Sequence, residues 1–500
     1  MFLGLDVGTS VIKAALFDET GRECGEAAQR TELLPAPLGW SEVDGESVWQ
    51  AAVGVIRALF AITGHSPRDV EGIGLTGVMV GAWLLDENNA VIRPPILWND
   101  ARAQALVARH LAEDPAFLSK IFAHSGSVMQ LGCTMPALAW LREHEPENLA
   151  RAQVVLAAKD YLRFRLTGEF ATDESEAAMA PGDAVTRDFH REPAALLGVE
   201  DLLPLLVPVR RGETLAGAVT GEAEEDTGLI AGTPVAIGTG DACASLIGAG
   251  CHAPGQAATV LGTTCLNGVL FDHAVYEPKD LGLLFIVPGE RWMKTMVNVV
   301  GTAAIDWCLG ALCPDIAAGD KPYDALSAIA GESAAGANGI AFVPYLSSSG
   351  VIAPRIEPRA RATFAGLAPQ HGRADMVRSV YEGMAYAIRS CFEQIGGGTG
   401  TIRLSGGGAR SLFWSQMIAD VTGMAVEIPE GTQFGAKGAA LCAAVATGRY
   451  ASVAEACAAT FRTQRIHQPD PAKKEAYEAG YRRYATASTA ALDGLRDVAG

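Results

Sequence analysis

Three short glycine-bearing stretches of this 500-residue chain carry residue types at spacings that could do chemistry, two of them on phosphate. They are Asp6-Val7-Gly8-Thr9-Ser10 with Lys13, Gly262-Thr263-Thr264, and Gly406-Gly407-Gly408. A polyphosphate is held by backbone N–H groups that converge only in tight turns, where glycine accepts unusual dihedrals and Thr or Ser adds hydroxyl donors. Gly8, Thr9, Ser10 and Lys13 meet that need once, and Gly262 with Thr263 meets it again. Either turn alone reads as a plain hairpin; two of them, each leaving a buried-type strand, favour phosphate. The pattern GxxxxGK[ST] does not occur, so this is not a P-loop chain. Gly407 and Gly408 let a flat ring such as adenine approach the backbone, and equally suit a helix start that needs room.

Asp6 and Asp241 each end an apolar strand beside glycines. A buried carboxylate is costly unless paired or bound to metal. Chemistry would make one of them a general base for a hydroxyl and the other a ligand for Mg²⁺ on a nucleotide. A helix cap is the bland alternative for Asp241. Trp98-Asn99-Asp100, followed by Arg102, sets a tryptophan beside polar groups, a combination that binds carbohydrate through ring faces and hydroxyls. A core tryptophan next to a helix cap accounts for it equally well.

Those residues must be held by strands and helices. Phe2–Val7 and Val11–Asp18 flank the first turn and predict a strand hairpin. Helical periodicity covers 46–62, 101–111, 136–143 and 160–166, with strands at 73–76 and 82–86. Gly232–Asp241 reads as a buried strand running into a glycine turn. Ala258–Gly268 repeats the strand–turn–strand of the beginning, which predicts two halves of similar fold. Ile402–Ser405 precedes the triple glycine and a helix over 412–421; Gly435–Ala440 opens a small-residue helix able to pack closely. The expected fold class is α/β: two domains, 1–247 and 248–450, facing each other across an interdomain cleft. A helical tail, 451–500, with charged 473–484, is expected at the surface of the second domain.

Lys and Arg number 39 against 57 Asp and Glu, a formal charge of −18. That balance disfavours nucleic acid and anionic membranes as partners. The ten cysteines form no CxxC pair, which withdraws support from zinc or thioredoxin-like chemistry and suits a reducing compartment. No signal peptide or membrane-length apolar run is read, so the expected location is cytoplasmic.

The chain resembles the FGGY carbohydrate kinases, of the actin/hexokinase/Hsp70 superfamily with its actin-like (ribonuclease H-like) domains. The most specific match is Ala362-Thr363-Phe364-Ala365-Gly366-Leu367, then seven residues, then Asp375-Met376-Val377-Arg378-Ser379-Val380-Tyr381-Glu382. Ile96–Arg102, Lys159-Asp160-Tyr161-Leu162, Leu166–Glu169 and Thr172-Asp173 resemble the xylulokinase branch. Gly407–Ser411 with Trp414, Gln416, Met417 and Ala419-Asp420 is similar to the adenosine-side motif. The resemblance implies an ATP-dependent kinase for a pentulose such as xylulose, with ATP and Mg²⁺ as cofactors and a possible homodimer. It implies Asp241 as the base, Asp6 at the metal, and Thr9, Ser10 and Lys13 in the first phosphate loop. Gly262 and Thr263 would form the second, with Gly301 and Thr302 near the phosphates, Gly407, Gly408 and Ser411 near adenosine, and Trp98, Asn99 and Asp100 at the substrate.

Two departures stand out. Met79-Val80-Gly81 replaces the Met-His-Gly of the xylulokinase branch, so no imidazole reaches the substrate there, and erythritol-like polyols and L-xylulose compete with D-xylulose. Pro136-Ala137-Leu138-Ala139-Trp140 has alanine where the N-terminal signature has lysine. A non-kinase ATPase or sugar-binding module on the same fold would keep the phosphate turns without Trp98-Asn99-Asp100 and Asp241. A sugar-responsive regulator would need a DNA-binding segment or basic patch, neither of which is read.

Overall fold

A computed structural model describes residues 1–494, which fall into two compact units. The first comprises Met1–His252, Phe271–Met293 and Gly431–Phe461; the second comprises Ala253–Leu270, Lys294–Glu430 and the chain from Arg462 onward. Both are α/β, as expected.

In the first unit β1 (Phe2–Val7), β2 (Val11–Phe17), β3 (Glu23–Arg30), α1 (Gly45–Thr63) and β4 (Gly72–Gly77) follow in order. The sheet runs β3-β2-β1-β4, then Pro234–Ala236 and Leu215–Ala218, with Thr239–Gly240 pairing beside the end of β4. β1 is antiparallel to β2 and parallel to β4. Alternation along a strand sends successive side chains to opposite faces, and β1 is buried on both. Leu3, Leu5 and Val7 join the core that also holds Trp49, Ala52, Ile56 and Leu59 of α1. Phe2 belongs to a second cluster with Phe17, Ala436, Ala440 and Ala443, from the helix Phe434–Ala446.

Gly4 lies between Leu3 and Leu5, on the face that meets this second helix. A Cβ there would fall on the carbonyl oxygen of Ala436, and one at Gly74 on that of Ala439. The small-residue helix therefore lies directly on the sheet, with backbone against backbone. Gly438 meets Ala244 O of the helix Asp241–Gly248 in the same way. We expect Gly74→Ala to push this layer apart and destabilise the protein by about 3 kcal/mol, read as a lower denaturant midpoint. An unchanged midpoint would show that the layer yields.

The second unit repeats the strand order. Ala257–Leu261 is antiparallel to Cys265–Phe271 and parallel to Thr401–Ser405, which is parallel to Ala425–Pro429. Thr463–His467 closes the edge in antiparallel fashion. The helix Lys474–Asp493 buries Tyr477, Gly480, Tyr484, Ser488 and Leu492, which recur at helical spacing. Its charge hides this buried stripe, so one face of the expected surface helix is core. Residues 495–500 of the tail lie outside the described residues.

All ten cysteines are free, and all but Cys24 are buried. Among the described residues no helix is long and apolar enough to cross a membrane.

Candidate active site

The first unit gathers its polar groups at the carboxyl ends of the parallel strands, where side chains and turns leave the sheet. Asp6 stands opposite Thr76 of β4, and Thr76 stands opposite Thr239. Asp241 follows Gly240 and opens the next helix. The strand ends carrying the two aspartates therefore flank β4, about 10 Å apart at ordinary strand spacing.

Both carboxylates are half-buried. Burial, then the charge of Asp241, pushes Asp6 up to about 7, while Lys13 pulls the other way. Lys13 is its cross-strand partner on β2. No hydrogen bond contributes to that balance. Gly435, at the start of the helix Phe434–Ala446, leaves Asp6 its space: a Cβ there would lie 2.7 Å from Oδ2. A carboxylate so placed, raised by burial and by a second carboxylate with no donor to satisfy it, fits a divalent cation.

Asp241 is pushed up to about 6 by burial, against the hydrogen bond that Ala242 N–H donates to Oδ1 at 2.7 Å. A half-buried carboxylate raised in this way is charged at neutral pH and able to accept a proton.

The Gly8 turn joins β1 to β2. Gly8 N–H closes on Val11 O at 3.1 Å, which leaves the following amides and hydroxyls to meet a ligand. Trp98, 40% exposed, donates its indole N–H to Thr9 Oγ1 at 2.9 Å. Asn99 is exposed beside it. Asp100 is not: it is 2% exposed, accepts Ser41 N–H at 2.7 Å and binds Arg102 through both oxygens at 2.8 Å. Arg102 is itself stacked on Trp40 at 4.0 Å. Asp100 therefore shapes the corner from which Trp98 and Asn99 project. Met79 lies against Gly240, where a Cβ would strike its sulfur. Val80 is buried and donates its N–H to Glu176 Oε2 at 2.7 Å.

The second unit brings its own set together. Gly262 N–H closes on Thr264 O at 3.0 Å. Gly301 N–H donates to Thr263 O and Thr302 N–H to Gly262 O, each at 2.7 Å. These two turns are one interlocked structure, with Thr263 exposed. Gly407 is exposed with open space at its Cα, whereas Gly408 is packed on Leu261 and Trp414. Ser411 caps the helix Leu412–Thr422 by accepting Trp414 N–H at 3.2 Å.

Reading the sequence missed Ser175 and Glu176, and touched Lys159, Asp160 and Asp173 only through their resemblance to other chains. Four of them form a fully buried ionic cluster, and Ser175 beside them accepts the Gly240 N–H. The available signal was a lysine and an aspartate side by side on the apolar side of a helix, at 158–167.

Residues 1–248 match the N-terminal domain, and residues 257–447 the C-terminal domain, of the FGGY family of carbohydrate kinases. The chain is 34% identical to the xylulose kinase of Escherichia coli (strain K12), over 96% of each chain. It is 30% identical to the erythritol kinase of Brucella abortus, over 96% of this chain and 94% of the relative. The solved structure of the xylulose kinase from Rhodospirillum rubrum matches with a TM-score of 0.88 at 30% identity, over 98% of each chain. Two family domains that together span most of the chain, on two α/β units of actin-like fold, decide the matter: this chain belongs to the FGGY family of carbohydrate kinases and is an ATP-dependent sugar kinase.

Proposed function

We propose that the protein phosphorylates a hydroxyl of a pentulose such as xylulose, in the cytoplasm. The observation that carries this reading is Asp241, a half-buried carboxylate raised to about 6 on the sheet edge that also holds Asp6 and the Gly8–Ser10 turn. Asp241 takes the hydroxyl proton while the sugar oxygen bonds to the γ-phosphorus of ATP and the bond to the β–γ bridging oxygen breaks. The products are ADP and the sugar phosphate.

Thr9, Ser10 and Lys13 are assigned to the phosphates, as are Gly262 and Thr263 with Gly301 and Thr302. Gly407, with Gly408 and Ser411 shaping its surroundings, is assigned to adenosine. Trp98 and Asn99 bind the sugar, positioned by Asp100, with Met79 and Val80 beside them. Mg²⁺ would be held by Asp6, directly or through water, and would supply charge neutralisation at the phosphates. By chain order the sugar belongs to 1–247 and the nucleotide to 248–450.

Val80 favours a second reading, phosphorylation of an erythritol-like polyol or of L-xylulose, because its side chain offers a hydroxyl neither donor nor acceptor. Coupled detection of ADP over a panel of pentuloses, polyols and hexuloses separates the two. We expect the highest kcat/KM for D-xylulose; a polyol or L-xylulose in first place would establish the second reading, and turnover of none would end both.

A further inference from the structure

Val80 holds a φ of +57°, the left-handed region that a β-branched residue rarely adopts unless its surroundings impose it. What holds it is visible. Its side chain is 5% exposed, and its N–H donates to Glu176 Oε2. Glu176 lies on the short helix Glu174–Met179. The residue before it, Ser175, accepts the N–H of Gly240 on Oγ at 3.0 Å, and Gly240 immediately precedes Asp241. Two consecutive residues of one helix thus hold the sugar-side loop Met79–Gly81 and the strand end that delivers the base.

The helix is anchored in turn. Asp173 caps it by accepting Ser175 N–H at 2.8 Å, and takes a hydrogen bond from Thr239 Oγ1 at 3.4 Å. Lys159, fully buried, lies 2.6 Å from Asp173, 2.7 Å from Asp160 and 3.7 Å from Glu176. Arg163 binds Asp160 at 2.7 Å. Three carboxylates face two cations, which leaves one negative charge in excess. Burial pushes Glu176 up to about 8 against the pull of Lys159, with Asp160 and Asp173 adding to the rise. A neutral carboxyl still accepts the Val80 hydrogen bond. A buried ionic cluster is seldom the most stabilising way to fill such a space; its value here is geometric.

We propose that Glu176 and Ser175 are positioning residues which hold the sugar-side loop and the catalytic base in mutual register. Glu176 sets the fit of the sugar by imposing the left-handed turn at Val80, and Ser175 sets the aim of Asp241 through Gly240. The inference rests on the kinase reading of Asp241 and deepens it. It also explains how a valine serves at this position: the loop is governed through its main chain, whatever the side chain lacks.

Steady-state kinetics of full-length variants test this. Glu176→Ala is expected to raise the sugar KM by about tenfold, with kcat and the ATP KM changed by less than about twofold. Adding Val80→Gly, which makes the left-handed turn free of steric opposition, should restore the sugar KM to within about threefold of wild type. Ser175→Ala, a one-atom deletion, should do the reverse, lowering kcat by about fivefold with both KM values held. Parallel losses in kcat and both KM values, with no rescue by Val80→Gly, would reduce Glu176 to a structural role and overturn the proposal. If Glu176→Ala does not fold, Ser175→Ala decides: an unchanged kcat overturns it. A wild-type protein that turns over no sugar would defeat the kinase reading itself, an outcome distinct from either.

Discussion

Asp241→Asn is expected to lower sugar-dependent ADP release by about 10³-fold while leaving ATP affinity intact, because general-base assistance of this kind contributes about 10²–10⁴ in rate. Asparagine keeps the shape and the hydrogen bond from Ala242 N–H but cannot accept the proton. The pH profile gives an independent reading. Burial raises Asp241 to about 6, and a base works only when deprotonated. The kcat/KM of the wild type should therefore be level above that pH and fall tenfold per unit below it. The Asn variant should lack this limb. Substantial turnover by the variant, or a wild-type profile that stays flat to pH 4, would remove Asp241 from the mechanism.

Asp6→Asn should abolish activity, by about 10²-fold or more, and yet stabilise the ligand-free protein above neutral pH. Asp6 is raised to about 7 by burial and by Asp241, whereas in the unfolded chain it titrates near 4. Between those values the folded state binds the extra proton, so stability declines as pH rises from about 4 to about 7. Asparagine resembles the protonated form. The variant should match wild type near pH 4 and exceed it by about 4 kcal/mol at pH 8, as read from denaturant midpoints. Lower stability at pH 8 would mean that the Asp6 charge is already compensated, with Lys13 as the neighbour to answer for it. Either carboxylate of this pair thus weakens the fold to serve the site, which is the pattern of a functional rather than an architectural charge.

The hairpins, the repeated strand order and the turns at Gly8 and Gly262 were legible because each is local. Leu3, Leu5 and Val7 alternate with Phe2, Gly4 and Asp6, and the turn residues follow directly. Ser411 was named only for the adenosine side, and the structure makes it the cap of the helix Leu412–Thr422. Asp100 was legible as a polar residue beside Trp98 but not as a spent one. Its acceptors are taken by Arg102, two residues on, and by Ser41, far away in sequence. Glu176 was illegible for the same reason: its partner is the main chain of Val80, and a backbone hydrogen bond leaves no mark in residue type. Gly435–Ala440 read as a helix able to pack closely, but not against what, since Gly4 and Gly74, which receive Ala436 and Ala439, lie hundreds of residues upstream.

That last distance has a bearing on how the chain is made. The first sheet emerges early in synthesis, but the layer that covers its Gly4–Gly74 face is supplied by Phe434–Ala446. Until the ribosome has passed that point, Phe2 and Phe17 have no cover on this side, and an early-finished first half is a sticky intermediate rather than an independent domain. Long-range closure of this kind slows folding. A nascent chain that stalls after residue 248 would therefore display the flat, glycine-studded face on which an aggregate can start.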